Sequence, residues 1–244
     1  MKIIVTASYE ESSRAVADMI CDLVRQKPNA KLGLATGSTP VPVYRAMIEK
    51  NKAGEVDFSA ARAVNLDEYR GLAPDHPQSY RFFMDDNLFN HINIDKANTF
   101  VASGLGDAEA AAAELDAKVL EGGVTDLQLL GIGNNGHVGF NEAADHLVAA
   151  SHVEQLTPST IDANARFFEK REDVPTQAIT MGMKSILAAK SIVLIATGAG
   201  KADAIRGLLA DGKVTPQNPS TFIKLHDDVT VVIDQELASL AGYR

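Results

Sequence analysis

The feature that most constrains this chain is an alternation of short, almost uniformly apolar runs with longer stretches whose apolar residues recur at helical spacing. The apolar runs are Lys2–Thr6, Lys31–Ala35, Arg62–Leu66, Asp126–Gly131, Ser191–Ala196 and Val229–Ile233. A strand with one wet face alternates polar and apolar residues. These do not, so both faces are expected to be covered, as in a parallel sheet lying between layers of helix. Helical spacing marks Ser8–Gln26, Val41–Lys52, Ser79–Phe89, Asp107–Glu121 and Lys201–Asp211. Strand, helix, strand repeated in this way requires right-handed crossovers and predicts a doubly wound, mostly parallel, Rossmann-like α/β fold. No internal repeat and no Pro/Gly/Ser-rich linker divides the chain, so residues 1–244 are expected to form a single domain. Residues 141–182 are more polar and less periodic, and read either as a lid over a site or as a plain surface excursion.

Composition narrows the function classes. Hydrophobic residues at 45% and charged residues at 23% are ordinary for a globular protein. A net charge of -9 argues against a nucleic-acid partner, which calls for a basic face. It leaves room for a phosphorylated substrate, because an anion responds to the local pocket. The single cysteine, Cys21, excludes an intrachain disulfide and sits among Val16, Met19, Ile20, Leu23 and Val24 at helical spacing, as a buried helix residue does. The apolar run at the N-terminus is too short for a signal peptide. No stretch approaches the roughly 20 apolar residues that span a bilayer. No membrane partner is expected, and a reducing cytoplasm fits.

In an open α/β sheet, ligands collect beyond the carboxyl ends of the strands, so the loops there carry the functional information. Four are unusual. Thr36-Gly37-Ser38-Thr39-Pro40 joins an apolar run to a helix, with hydroxyls and free N–H groups where the helix dipole favours an anion, although an ordinary capping turn has the same look. Asn65-Leu66-Asp67-Glu68-Tyr69 puts two adjacent carboxylates at a strand end; side chains one apart point to opposite sides, so one of them is expected to enter a shared site. Gly131-Ile132-Gly133-Asn134-Asn135-Gly136-His137 contains a formal G-x-G-x-x-G, but it lies mid-chain. It continues into Gly139, Asn141 and Glu142 and not into an apolar helix, which disfavours a dinucleotide turn. Bare glycines there suit close approach of a ligand, and His137 five residues before Glu142 suits a proton relay. With no second histidine at i+4 and no cysteine nearby, no metal is expected. Thr197-Gly198-Ala199-Gly200-Lys201 is a glycine turn ending in lysine; it fails the Walker A spacing but is a second anion candidate. Two anion cradles, a strand-end carboxylate and a His/Glu pair fit proton transfer on a small phosphorylated molecule.

These residues resemble the glucosamine-6-phosphate deaminase family through nearly the whole chain. The resemblance runs through Leu32–Pro40, Asn65–Tyr69, Gly136–Glu142 and Ala163-Asn164-Ala165-Arg166-Phe167-Phe168. It implies conversion of glucosamine 6-phosphate and water into fructose 6-phosphate and ammonia, with no cofactor. It implies a catalytic set of Asp67, Asn135, His137 and Glu142, and a substrate cradle of Thr36, Gly37, Ser38, Thr39, Gly133, Arg166 and Lys201. Asp67, with a reference pKa near 3.9, is expected to be ionised at neutral pH. Asn135 stands where many members carry aspartate; an amide can orient His137 but supplies no charge. Ala143 stands where proline usually follows the glutamate. A 6-phosphogluconolactonase of the same superfamily would continue from the histidine into serine, leucine, phenylalanine and proline, which Gly139-Phe140-Asn141-Glu142 does not match. A sugar-phosphate-sensing regulator would need a helix-turn-helix, for which no segment is left over.

Some members are hexamers activated by N-acetylglucosamine 6-phosphate through an arginine and a lysine two residues apart. The matching positions here are His152 and Glu154, a neutral histidine and a carboxylate that would repel a phosphate. Little chain follows Leu240 to build a subunit contact. The resemblance therefore implies a monomer or small homo-oligomer with no response to that activator.

Overall fold

The structure is a computed structural model that describes residues 1–243. Its centre is a seven-stranded sheet in which every pair is parallel. In spatial order the strands are β1 (Lys2–Thr6), β10 (Val229–Asp234), β9 (Ile192–Ala196), β6 (Leu127–Leu130), β2 (Lys31–Leu34), β3 (Arg62–Asn65) and β5 (Thr99–Phe100). Strands β2, β6 and β9 are buried at every residue, which is why their sequences carry no alternation. Helices α1 (Tyr9–Gln26), α2 (Val41–Lys52), α4 (Ala108–Leu120) and α7 (Ala202–Leu209) fall where helical spacing places them. The predicted helix at Ser79–Phe89 is α3 (Tyr80–Met84) continued by a wider turn over Asp85–Phe89. Cys21 is fully buried in α1, as its spacing predicts.

The connections after β2 run outward through β3 to β5, whereas those after β6 run the opposite way through β9 to β10. β2 and β6 are neighbours, so their carboxyl ends diverge into a crevice at the point where the winding reverses. Close approach here depends on Gly33: a Cβ on it would overlap the Gln128 amide from β6.

A second, three-stranded antiparallel sheet was not legible in the sequence. It joins β4 (Asp67–Tyr69), β8 (Gln177–Thr180) and β7 (His152–Gln155). Leu66 is the transfer residue between sheets: its N–H donates to Leu34 in the first, and its carbonyl accepts from Met181 next to the second. The polar stretch 141–182 is thus a folded subassembly holding β7, α5 (Pro158–Asn164) and β8. A cluster of Tyr69, Phe140, Leu156 and Ala178 forms its own small core. Asp116 of α4 anchors it, accepting from the Ser151 N–H and hydroxyl and from the hydroxyl of Ser185 in α6 (Met183–Leu187). The remaining helix, α8 (Gln235–Ala241), is capped by Asp234.

One buried charge is structural. Lys31 sits at the start of β2, and its Nζ donates to the carbonyls of Lys118, Val119, Glu121 and Gly123, the unsatisfied end of α4.

Candidate active site

A cavity of about 430 Å³ opens at the crevice between β2 and β6. All four singled-out loops reach it, with residues 159–167 of the 141–182 subassembly forming a further wall.

The wall after β2 is Thr36, Gly37, Ser38 and Thr39. Gly37 takes φ +90°, a conformation that L side chains rarely adopt, and the Tyr9 hydroxyl donates to the Ser38 and Thr39 carbonyls, fixing the loop from α1. No side chain caps α2; its Val41 N–H donates to the Ser38 carbonyl and its Tyr44 N–H to Pro40, so the N–H groups left for a ligand are those of Gly37, Ser38 and Thr39 in the loop before it.

Lys201 follows the turn made by Gly198 at φ +86° and lies at the N-terminus of α7. Arg166 lies in the short turn after α5; it stacks on Phe167 with 4.7 Å to the ring centroid and reaches within 3.4 Å of the Ser38 hydroxyl. Among the described residues neither cation is paired with a carboxylate. Burial first, and the facing Arg166 charge second, hold the Lys201 ammonium below its usual lysine value. Two cations left facing one another beside free N–H groups form a site that an anion relieves.

His137 lies on the loop after β6. Its ring packs flat over Gly133, where a Cβ would come within 2.5 Å of Cε1, Nδ1 and Nε2. Gly136, at φ +86°, closes the turn by donating to Gly133, and Gly133 donates to the His137 carbonyl. Nδ1 of His137 faces Glu142 Oε2 at 3.4 Å. Glu142 is 4% exposed. It accepts from Asn135 Nδ2 at 2.8 Å, from the Thr157 hydroxyl at 3.3 Å and from the Thr160 hydroxyl. Burial alone would raise its pKa, but His137, Thr160 and Asn135 outweigh that and hold the carboxyl down to about 2. Asn135 also accepts from the His137 N–H, so this amide braces both members of the pair.

Asp67 lines the opposite side of the cavity and is 6% exposed; its Oδ1 has no hydrogen-bond partner among the described residues. Its neighbour Glu68 turns away to cap α3, as the alternation along β4 requires. Asp67 departs from the expectation that it is ionised at neutral pH. Desolvation, reinforced by the Glu68 charge and only partly offset by the Thr36 hydroxyl, pushes it up to about 8. The two buried carboxyls are thus shifted in opposite directions, Asp67 up and Glu142 down.

Of the residues named for the catalytic set and the substrate cradle, all but Glu142 line this cavity. Glu142 lies just behind the wall, acting through His137. The sequence reading missed Tyr80 and Phe140, which stack at 6.0 Å with an interplanar angle of 4° beside Asp67, and it missed Thr157, Thr160 and Asn164. Thr157-Pro158 is a legible helix start, an N-cap threonine with proline at the first helical position. No local signal marks Tyr80.

The two activator-contact positions are also resolved. His152 Nε2 faces Glu154 at 2.9 Å and Nδ1 faces the Ala150 carbonyl at 2.9 Å. Both ring nitrogens of His152 thus face acceptors, an arrangement that favours the imidazolium. Burial disfavours the charge, but Glu154 and Ala150 raise the pKa overall.

Fold and site together define a doubly wound α/β protein with two unpaired cations, a His/Glu pair and a buried aspartate around one cavity at its switch point. The chain belongs to the family described as glucosamine-6-phosphate isomerases/6-phosphogluconolactonase, whose model matches residues 6–232. A glucosamine-6-phosphate deaminase of Clostridium beijerinckii is 51% identical over 240 residues, covering 98% of this chain and 99% of the relative. One of Thermoanaerobacter sp. is 50% identical over 241 residues, covering 98% and 95%. Among solved structures, a monomeric glucosamine-6-phosphate deaminase superposes with a TM-score of 0.95 at 43% identity, covering 98% of this chain and all of that one. The 6-phosphogluconolactonase of Trypanosoma cruzi, with a TM-score of 0.79 and 22% identity over 98% and 96% of the two chains, shares the fold. No helix among the described residues is long and apolar enough to cross a membrane.

Proposed function

We propose that this chain converts glucosamine 6-phosphate and water into fructose 6-phosphate and ammonia, by the following course. The single observation that carries the reading is one cavity walled by an uncompensated Lys201–Arg166 pair, the His137–Glu142 pair and the buried Asp67. The phosphate rests on residues 36–39, with Lys201 and Arg166 supplying charge. The closed sugar ring has no carbonyl to acidify the C2 proton, so it opens first. His137 takes the anomeric hydroxyl proton and delivers one to the ring oxygen, while ionised Glu142 stabilises the imidazolium. Asp67 then removes the C2 proton and returns a proton to C1 through an enolamine. Water adds to the resulting C2 imine, and ammonia leaves. The substrate's amine carries positive charge near neutral pH, and its arrival beside Asp67 favours the carboxylate that burial disfavours. Release of ammonia and fructose 6-phosphate from glucosamine 6-phosphate tests the reading; no release from that substrate overturns it.

Residues 141–182 act as a lid in this reading, because Arg166 belongs to them and meets the phosphate directly after α5. Lys201→Ala is expected to raise KM about tenfold or more with kcat within about threefold, since a phosphate contact held equally in ground and transition states is uniform binding. Initial-rate kinetics check this. Glucosamine lacking its phosphate should be turned over very poorly for the same reason.

The enzyme works in the cytoplasm as a monomer or small homo-oligomer. Support comes from the internally satisfied His152–Glu154 pair, which leaves no free cations for a phosphate, and from the monomeric solved relative. The expected kinetics are hyperbolic and indifferent to N-acetylglucosamine 6-phosphate. A sigmoidal curve that this compound straightens, with light scattering showing a hexamer, would reverse that expectation.

A further inference from the structure

Among the described residues, Glu68 is the one buried carboxyl group beside the site that the reaction course leaves unused. It is 1% exposed. Oε1 accepts from the Tyr69 and Tyr80 N–H groups, each at 2.8 Å, and Oε2 accepts from the Arg81 N–H at 3.0 Å. Tyr80 and Arg81 open α3, so this carboxylate ties the strand bearing Asp67 to the helix bearing Tyr80. Gly104 packs on the junction, with no room for a Cβ beside the Tyr69 and Leu72 carbonyls. The Arg81 guanidinium does not neutralise it; that group is committed to Asp85 and Thr99. Three N–H donors therefore hold a buried carboxyl group one residue from Asp67.

We propose that Glu68 is a positioning residue for proton transfer at Asp67: its carboxyl group, held by the Tyr69, Tyr80 and Arg81 N–H groups, fixes Asp67 and Tyr80 on one wall of the cavity and sets a second acidic group directly beside Asp67. This rests on the reading of Asp67 as the proton carrier. The other ionisable groups facing Asp67 are Tyr69 on its own strand, Tyr80 from α3, Tyr44 from α2, and the His137–Glu142 pair across the cavity. The three tyrosines are held neutral, their ionisation pushed up by burial. Glu68 is thus the acidic group nearest Asp67 on that side. Its own pKa is raised by burial and pulled back by the three N–H donors, to about 7.

The test is Glu68→Gln in the full chain, with kcat/KM measured across pH. Asp67 must be ionised to accept the C2 proton, so activity rises as pH passes through its pKa. Removing the adjacent charge lowers that pKa, and the acid limb should move to lower pH by about one unit. Glutamine also presents an NH₂ to one of the backbone N–H groups, so kcat should fall about tenfold with KM little changed. An acid limb that coincides with wild type overturns the proposal, whatever happens to kcat. Should the variant not fold, carboxyl ¹³C NMR of the wild-type enzyme decides, with the Asp67 resonance assigned by its loss in Asp67→Asn. Titration at an ordinary aspartate pH overturns the proposal; titration well above that range, coupled to a second buried carboxyl, supports it. If Asp67→Asn retains hydrogen exchange at the substrate carbons, the proton-carrier reading itself is wrong. If that variant is dead and Glu68→Gln keeps the wild-type acid limb, only the role of Glu68 fails.

Discussion

Asp67→Asn is expected to lower kcat about a thousandfold while leaving KM within about threefold, because it removes the proton acceptor and keeps the shape. The amide fits the same buried position, and the residues proposed to hold the phosphate lie on other loops. Exchange of substrate hydrogen with solvent should vanish together with ammonia release; exchange at C1 or C2 near the wild-type rate would place the base elsewhere. The same substitution has a stability consequence with a defined sign. In the unfolded chain this carboxyl ionises near pH 3.9, whereas in the fold it ionises near 8. Between those values the folded state holds a proton that the unfolded state has released. The associated stability is fully present below about pH 4 and is lost as pH rises through about 8. Asparagine removes that dependence, so the variant should melt at or above the wild-type temperature at pH 8 and show no such gain at pH 4. Thermal melts at the two pH values check it.

The second large effect is expected from Gly133→Ala, a single added methyl group on the cavity wall beneath His137. Gly133 has no positive φ, so alanine is allowed there by backbone conformation and the cost is steric. The new Cβ would occupy space now filled by the His137 ring. Either the ring swings away from Glu142, lengthening a contact that is already 3.4 Å, or the loop shifts. Displacement of a catalytic group by about 1 Å costs on the order of a hundredfold in rate, and overpacking costs about 1–3 kcal/mol of stability. Steady-state kinetics and thermal melting measure both. Gly131→Ala provides the comparison for stability, since a Cβ there meets nothing within 4 Å. Wild-type kcat in Gly133→Ala would mean that the ring position is not critical.

How far the site was legible follows from its construction. Glycine, serine and threonine in Thr36–Thr39, the histidine and glutamate five apart, and a lysine ending a glycine turn are local signals, because helix N-termini and tight turns need those residues in those places. The loops themselves say little singly. They become one site because β2 and β6 are adjacent and their connections depart in opposite directions. Glu142 could be read as His137's partner from spacing, but its support by Thr157 and Thr160 comes from α5, 15 and 18 residues further on. Tyr80 reaches the cavity wall only through the Glu68 cap.

The sequence by itself determined the parallel sheet, since strands covered on both faces must be apolar throughout, and it determined the main helices, whose buried stripes recur every 3.6 residues. It also placed the chemistry on the loops after the strands. Only the tertiary structure decided the antiparallel sheet of β4, β8 and β7. In β7, His-Val-Glu-Gln is half-exposed and polar, and its strand conformation comes from pairing with β8 and not from its own pattern. Ionisation was decided there too. Composition assigns every aspartate the same starting acidity, but burial raises Asp67 to about 8 while three side-chain contacts hold the buried Glu142 near 2. The free energy of a charge depends on the solvent removed and the dipoles supplied around it, and both are set by residues distant in the chain.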